Sequence, residues 1–183
     1  VCDNLPENVN ELVDDLYELS MADVGALTYR KAPCVLNDLL VHTVGMFQER
    51  LNARQLRVEL ELPSTPLELL ADASRLQQLF SNLLENAVRY TDANGVIRIG
   101  AVLTRDEVRI DFMDSGPGVS AQQLPRLFER FYRGESSRNR ASGGAGLALA
   151  LCHSIALAHG GSLSAHHSPL GGLWLTLRLP RSL

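Results

Sequence analysis

Leu5, Val9, Leu12, Leu16 and Leu19 recur at alternating steps of four and three, with Glu11, Asp14, Asp15 and Glu18 on the other side. These are a and d positions of a heptad and predict an amphipathic helix at the amino end. So near the start, a helix has little of its own chain to pack on, which favours an intermolecular bundle over packing on its own domain. Pro33 closes that segment, and Leu36, Leu39, Leu40, Thr43, Phe47 and Leu51 mark one face of a second helix over residues 35–54. Residues 57–62 alternate as a half-buried strand and stop at Pro63. Asp72 is suited to cap a helix running to Tyr90, because its carboxylate can accept from the free amides of the first turn. Residues 96–99 and 108–112 alternate again, joined as a hairpin near Arg105 and Asp106. A polar, basic, glycine-bearing stretch occupies 119–145, with one short helical piece at 122–128. Residues 146–159 predict an apolar helix, and 162–166 and 173–179 two strands turned by Gly171-Gly172. The sum is an α+β domain, a mixed sheet with helices on one face.

Composition narrows this picture only at a few points. A chain of 183 residues with 45% hydrophobic content can build one good core and an appendage. A net charge of -4 and a pI near 5.7 argue against nucleic acid as the main partner. Arg126, Arg130, Arg133, Arg138 and Arg140 nevertheless cluster, which reads either as a local anion site or as a solvated loop. Cys2, Cys34 and Cys152 match neither zinc spacing nor a disulfide framework and suit a reducing cytoplasm. No apolar run approaches bilayer length, and the absence of an initial Met suggests a piece of a longer protein.

Three motifs carry the chemistry. The helix at 73–90 contains Asn82-Leu83-Leu84-Glu85-Asn86, which puts Asn82 and Asn86 on one face at the edge of an apolar stripe. Neutral amide oxygens suit Mg²⁺, and Arg89 is close enough in sequence to reach phosphates beside it. Taken alone, the two amides read more simply as hydrogen-bonded structural groups. Asp114 ends a strand before Gly116 and Gly118, where a carboxylate can accept from the exocyclic amine of adenine and glycines admit a flat base. A plain tight turn is the alternative. Gly143, Gly144 and Gly146 precede the apolar helix, an arrangement that presents backbone amides to an anion. It is neither a Walker A loop, lacking the Lys-Ser/Thr ending, nor a Rossmann loop, lacking a βαβ unit. The long stretch before it fits a mobile lid.

In this order the motifs resemble the catalytic, ATP-binding domain of bacterial sensor histidine kinases. Asn82 to Asn86 resembles the N box, Asp114 to Gly118 the first glycine box, and Phe128-Glu129-Arg130-Phe131-Tyr132-Arg133 the F box. Gly144-Ala145-Gly146-Leu147 resembles the second glycine box, and the run after the F box is most similar to an envelope-stress branch of that family. The resemblance implies the Bergerat-type sandwich shared with Hsp90, gyrase B and MutL over residues 33–183. It makes residues 1–32 the end of a second dimerisation helix and its linker. By the same resemblance, Asn86 holds Mg²⁺ with Asn82 assisting, and Arg89 and Tyr90 lie near the phosphates. Asp114 reads adenine, Gly116 and Gly118 shape its pocket, and Arg130 and Arg133 support phosphates or lid. Gly144, Gly146 and Leu147 cradle the phosphates, and Thr176 joins the nucleotide site.

The implied activity is transfer of the ATP γ-phosphoryl group to a histidine on the protein's own dimerisation domain, then to a response-regulator Asp. The implied setting is a homodimer, as the cytoplasmic part of a bacterial inner-membrane protein. Two departures stand out. Ala148 replaces a glycine usual in the family, and His42, His153, His159, His166 and His167 all lack the phosphoacceptor's acidic context. Two other readings stay open: a nucleotide-binding regulatory module, and a clamp-type ATPase. The latter places a catalytic Glu where Asn82 stands, and an amide cannot serve as that base.

Overall fold

The computed structural model describes residues 7–133 and 146–181. Gly143, Gly144, Arg138, Arg140, Cys2, Leu5 and the second part of the expected lid, residues 134–145, lie outside the described residues. Helix α1 (Glu7–Asp23) leads through a linker to strand β1 (Ala32–Val35), which pairs antiparallel with β3 (Glu68–Ala71). This two-stranded sheet was not foreseen. Four residues per strand give too short a period to register, and Pro33 masks the first as a breaker.

The expected helix over 35–54 is two helices, α2 (Leu36–Met46) and α3 (Gln48–Ala53). Phe47 sits at the joint with φ -97° and ψ 1°, and its amide donates to the Val44 carbonyl, three residues back, instead of four as in an α-helix. Gly45 weakens the helix just before the break. Phe47 and Leu51 stay buried across it, so the apolar stripe continues through the kink.

Strands β2 (Arg57–Glu61), β4 (Val96–Leu103), β5 (Glu107–Asp114), β6 (Ser162–His167) and β7 (Leu173–Pro180) form one sheet. Their order is β2-β4-β5-β7-β6, with β2 and β4 parallel and the other pairs antiparallel. A parallel pair needs a crossover. Here β3 and helix α4 (Ala73–Tyr90) supply it. Asp72 caps α4, accepting from the Arg75 amide at 3.1 Å. Seven residues from Leu76 to Val88 at helical spacing bury one whole face of α4 against the sheet and its neighbours. Phe80 stacks on Phe112 of β5, centroids 6.2 Å apart. Helix α5 (Ala148–Ala158) lies beside α4 on the same side and starts two residues later than expected. The helical piece expected at 122–128 is a single 3₁₀ turn at Leu124–Arg126, with Pro125 inside it.

The amino-terminal stripe divides. Leu19 is 1% exposed and Leu12 packs against the same core, whereas Val9, Val13, Leu16 and Tyr17 remain exposed. A heptad pattern says that a face is buried, not in which chain its cover lies. The linker is pinned as well, since the Arg30 amide donates to Asp72 Oδ2 at 2.9 Å and Tyr29 meets the edge of His159. His159 itself is a buried packing residue. Its Nε2 accepts from the Asp72 amide at 3.0 Å, and Nδ1 lies 2.8 Å from the Ile155 carbonyl. That pair of bonds fixes the neutral tautomer, and burial lowers its pKa further.

Candidate functional site

A cavity of about 770 Å³ opens between α4, α5, the β5 end and α1. Its size suits a nucleotide-sized ligand. Of the sequence-derived residues, Asn82, Asn86, Arg89, Tyr90, Asp114, Gly118, Arg133, Gly146 and Leu147 line it. Ala148 lines it too.

Asp114 is buried at the last position of β5. Both hydrogen bonds it receives fall on Oδ1, from the Gly116 amide at 2.9 Å and the Leu173 amide at 3.1 Å. Among the described residues Oδ2 has no donor, so the carboxylate keeps one acceptor for a ligand. Burial pushes its pKa up to about 6, against the pull of those two amides.

The glycines around Asp114 serve a purpose that sequence reasoning missed. Gly116 and Gly118 have φ of 95° and 80°, and a Cβ on either would crowd the Gly171-Gly172 backbone at 3.0–3.1 Å. They therefore let this loop close on the β6–β7 turn, and Gly116 itself is not part of the cavity wall. Gly172 has no positive φ, yet a Cβ there would collide with Asp114 Oδ1. Its amide donates to the Asp114 carbonyl at 3.0 Å. A turn needs only Gly171 in the left-handed region, so the second glycine of the pair was the available signal.

On α4, Glu85 lies between two guanidiniums. It accepts from Arg89 at 3.0 Å and from Arg50 of α3 through both oxygens. Burial works to raise its pKa, but the Arg50 bond and charge together with Arg89 prevail and hold it below the usual carboxylate range. Asn82 also faces inward to the Cys152 thiol, which burial pushes up to about 12. The Cys152 thiol donates to the Leu79 carbonyl at 3.7 Å, which ties α5 to α4.

Three expected residues stand elsewhere or do different work. Arg130 makes a bidentate ion pair with Asp23 of α1, at 2.6 and 2.7 Å, and is not in the wall. Thr176 is buried within β7, where its hydroxyl donates to Asp111 at 3.0 Å, away from the cavity. Its side of the strand carries the Asp111–Trp174 bond instead, at 2.8 Å. Gly146, with φ 80°, is required by backbone packing, because a Cβ there would strike the Tyr132 carbonyl. The Phe131 amide in turn donates to the Gly146 carbonyl at 3.1 Å, which ties the F-box stretch to the start of α5.

A buried carboxylate at a strand end, a polar helix face opposite it and a glycine-led helix between them recur in one family of ATPases. Residues 71–183 match the model for histidine kinase-, DNA gyrase B- and HSP90-like ATPases. The chain belongs to this family. It is 52% identical over 172 residues to the signal transduction histidine-protein kinase BaeS of Escherichia coli (strain K12), covering 94% of this chain and 37% of BaeS. Among solved structures, the histidine kinase AdeS of Acinetobacter baumannii superposes with a TM-score of 0.80 at 25% identity, covering 97% of this chain and 80% of that one. Full-length ShkA in complex with AMPPNP gives 0.80 at 26% identity, covering 96% and 36%. The domain is therefore of the histidine-kinase type, and the chain spans little more than a third of the length of BaeS. Within this kinase-type domain, Arg50, Gly172 and Leu173 join the site without having been anticipated. Each comes from outside the recognised boxes or acts through backbone contact.

Proposed function

We propose that this kinase domain binds Mg-ATP in the 770 Å³ cavity and delivers its γ-phosphoryl group to a histidine of its own dimerisation domain, for relay to a response regulator. In this reading residues 1–32 belong to the dimerisation helix and linker, and the whole protein is a membrane-anchored homodimeric sensor. Among the described residues no helix is long and apolar enough to cross a membrane, so an anchor would lie elsewhere. The observation that carries the proposal is Asp114: a buried carboxylate with one oxygen saturated by backbone amides and one free to accept from the adenine amine. The ShkA complex with AMPPNP supports an adenine nucleotide as the ligand.

The donor set fits the magnesium ion. Asn86 and Asn82 offer hard, neutral oxygens beside the cavity, and such an ion keeps waters alongside phosphate ligands. When bound, the ion would neutralise charge that develops between the β- and γ-phosphates. Phosphoryl transfer otherwise asks for positioning, which the chain's own groups supply. Asp114 orients the base, Arg89 is held toward the cavity by Glu85, and Leu173 and Val119 exclude water from the base end.

Calorimetric titration with ATP, with and without Mg²⁺, tests this. Binding that is Mg²⁺-dependent and much weaker for GTP is expected, with the Mg²⁺ dependence lost in Asn86→Ala. Equal affinity for ATP and GTP would remove the role given to Asp114. Phosphorylation of an added dimerisation domain on histidine then tests the chemistry.

A further inference from the structure

The cavity wall facing α4 is not part of the ATPase core. Glu11, Asp14, Asp15 and Glu18 of α1 all line it. Among the described residues, six carboxylates and three guanidiniums face this space, the other acids being Glu85 and Asp114 and the bases Arg50, Arg89 and Arg133. Remove α1, and three guanidiniums outnumber two carboxylates. The position of one helix therefore sets the sign of the charge that a polyphosphate tail meets.

The docked position is built. Leu19 is 1% exposed against the core, and Glu18 pairs with Arg75 at 3.0 Å and accepts from Gln78 at 2.9 Å. One turn further on, Asp23 pairs with Arg130 at 2.6 Å and anchors the end of the helix. Against these contacts stands the crowding of like charges. Asp15 is pushed up to about 6, first by burial and then by Glu18, Glu11 and Asp14.

We propose that α1 is an acidic plug: docked as seen here it repels the phosphate tail of ATP, so that ATP binding and α1 docking oppose one another. The proposal rests on the reading of the cavity as an ATP site. Linkage makes the effect reciprocal, so whatever holds α1 down weakens ATP binding, and ATP loosens α1 by the same factor. A signal that shifts or rotates α1 then needs no contact with the nucleotide to control its affinity.

The test is calorimetry of the whole chain with Mg-ATP and, separately, with adenosine, which has the base but no charge. The triple variant Glu11→Gln/Asp14→Asn/Asp15→Asn spares Glu18, Leu19 and Asp23, which hold the helix. It is expected to bind Mg-ATP about tenfold tighter or more, from the loss of three like charges near the phosphates. Adenosine affinity stays unchanged. Asp23→Asn, which loosens the docked end of α1, also tightens Mg-ATP. In the parent chain, Mg-ATP accelerates amide exchange across residues 7–23. Unchanged Mg-ATP affinity in the triple variant overturns the plug. So does weaker affinity, which would make these acids ligands of Mg²⁺. If neither ATP nor adenosine binds any form, the ATP reading falls and the plug with it. That result is distinct from failure of the plug alone, in which adenosine still binds.

Discussion

Replacing Asp114 by Asn should make the folded protein more stable while impairing its site. Burial raises the Asp114 pKa from the ordinary 3.8 to about 6. The unfolded chain therefore releases this proton near pH 4, while the folded chain holds it until about pH 6. Stability from the protonated group is fully present below pH 4 and is lost as pH rises through 6. At about 1.4 kcal/mol per pH unit, the ionised carboxylate costs the fold about 3 kcal/mol at pH 7. An Asn side chain preserves the acceptor that both amides use, on Gly116 and Leu173, and carries no charge. Urea unfolding of parent and variant at pH 4, 5, 6 and 7 reads the difference. The variant's advantage should be near zero at pH 4, grow through pH 5 and level off above pH 6. A stability difference that does not change with pH, or a variant less stable at pH 7, would refute the argument. The ATP affinity of the same variant should fall, because an amide that presents its NH₂ to adenine replaces an acceptor with a donor.

Four further outcomes follow from the structure. Gly172→Ala should displace the Asp114 carboxylate, with a stability loss of about 1–3 kcal/mol by urea unfolding and a drop in ATP affinity. Gly171→Ala should be strained by its φ of 110° and leave base selectivity intact, as a GTP comparison would show. Phe80→Ala, which empties the stacked pair with Phe112, should cost about 3–5 kcal/mol. Mg-ATP affinity in an Asp15→Asn background should fall about tenfold between pH 7 and pH 5 as Asp114 takes up its proton. The background matters because Asp15 titrates in the same window with the opposite effect.

Long elements with one buried face were legible in the sequence. α4 shows its cap, length and apolar stripe, and β4, β5 and β7 alternate cleanly because one sheet face is covered by helices. The pocket residues that could be foreseen are those whose chemistry is carried by a side chain at a motif position. What stayed hidden depends on contacts between distant segments. β1 and β3 exist only through each other, and Gly172 matters because Asp114 arrives from 58 positions away. Arg50 enters the site only because α3 delivers it to Glu85. Thr176 was misplaced because a residue on a neighbouring strand can sit on the wrong side of the pleat; the backbone next to Asp114 is that of Leu173. Arg130 was expected to support the phosphates or the lid, and its position in the F box could not reveal Asp23 beside it.

The two ends of the cavity are held by different kinds of interaction, and this bears on where control can act. The Asp114 end is fixed by backbone hydrogen bonds between the β5 end and the β6–β7 turn, with glycines packed backbone to backbone. Such a site is set before any ligand arrives, as selective recognition of a base requires. The opposite end is lined by side chains from α1, α3 and α4 joined by ion pairs that are partly exposed. Exposed pairs of this kind contribute at most about 1 kcal/mol each, and they exchange partners at little cost. A phosphate tail can compete for Arg50 or Arg89 where it could never compete for a sheet amide. Changes in the position of α1 are therefore felt by phosphates and not by adenine, so regulation through this helix should alter affinity for ATP without altering the choice of base.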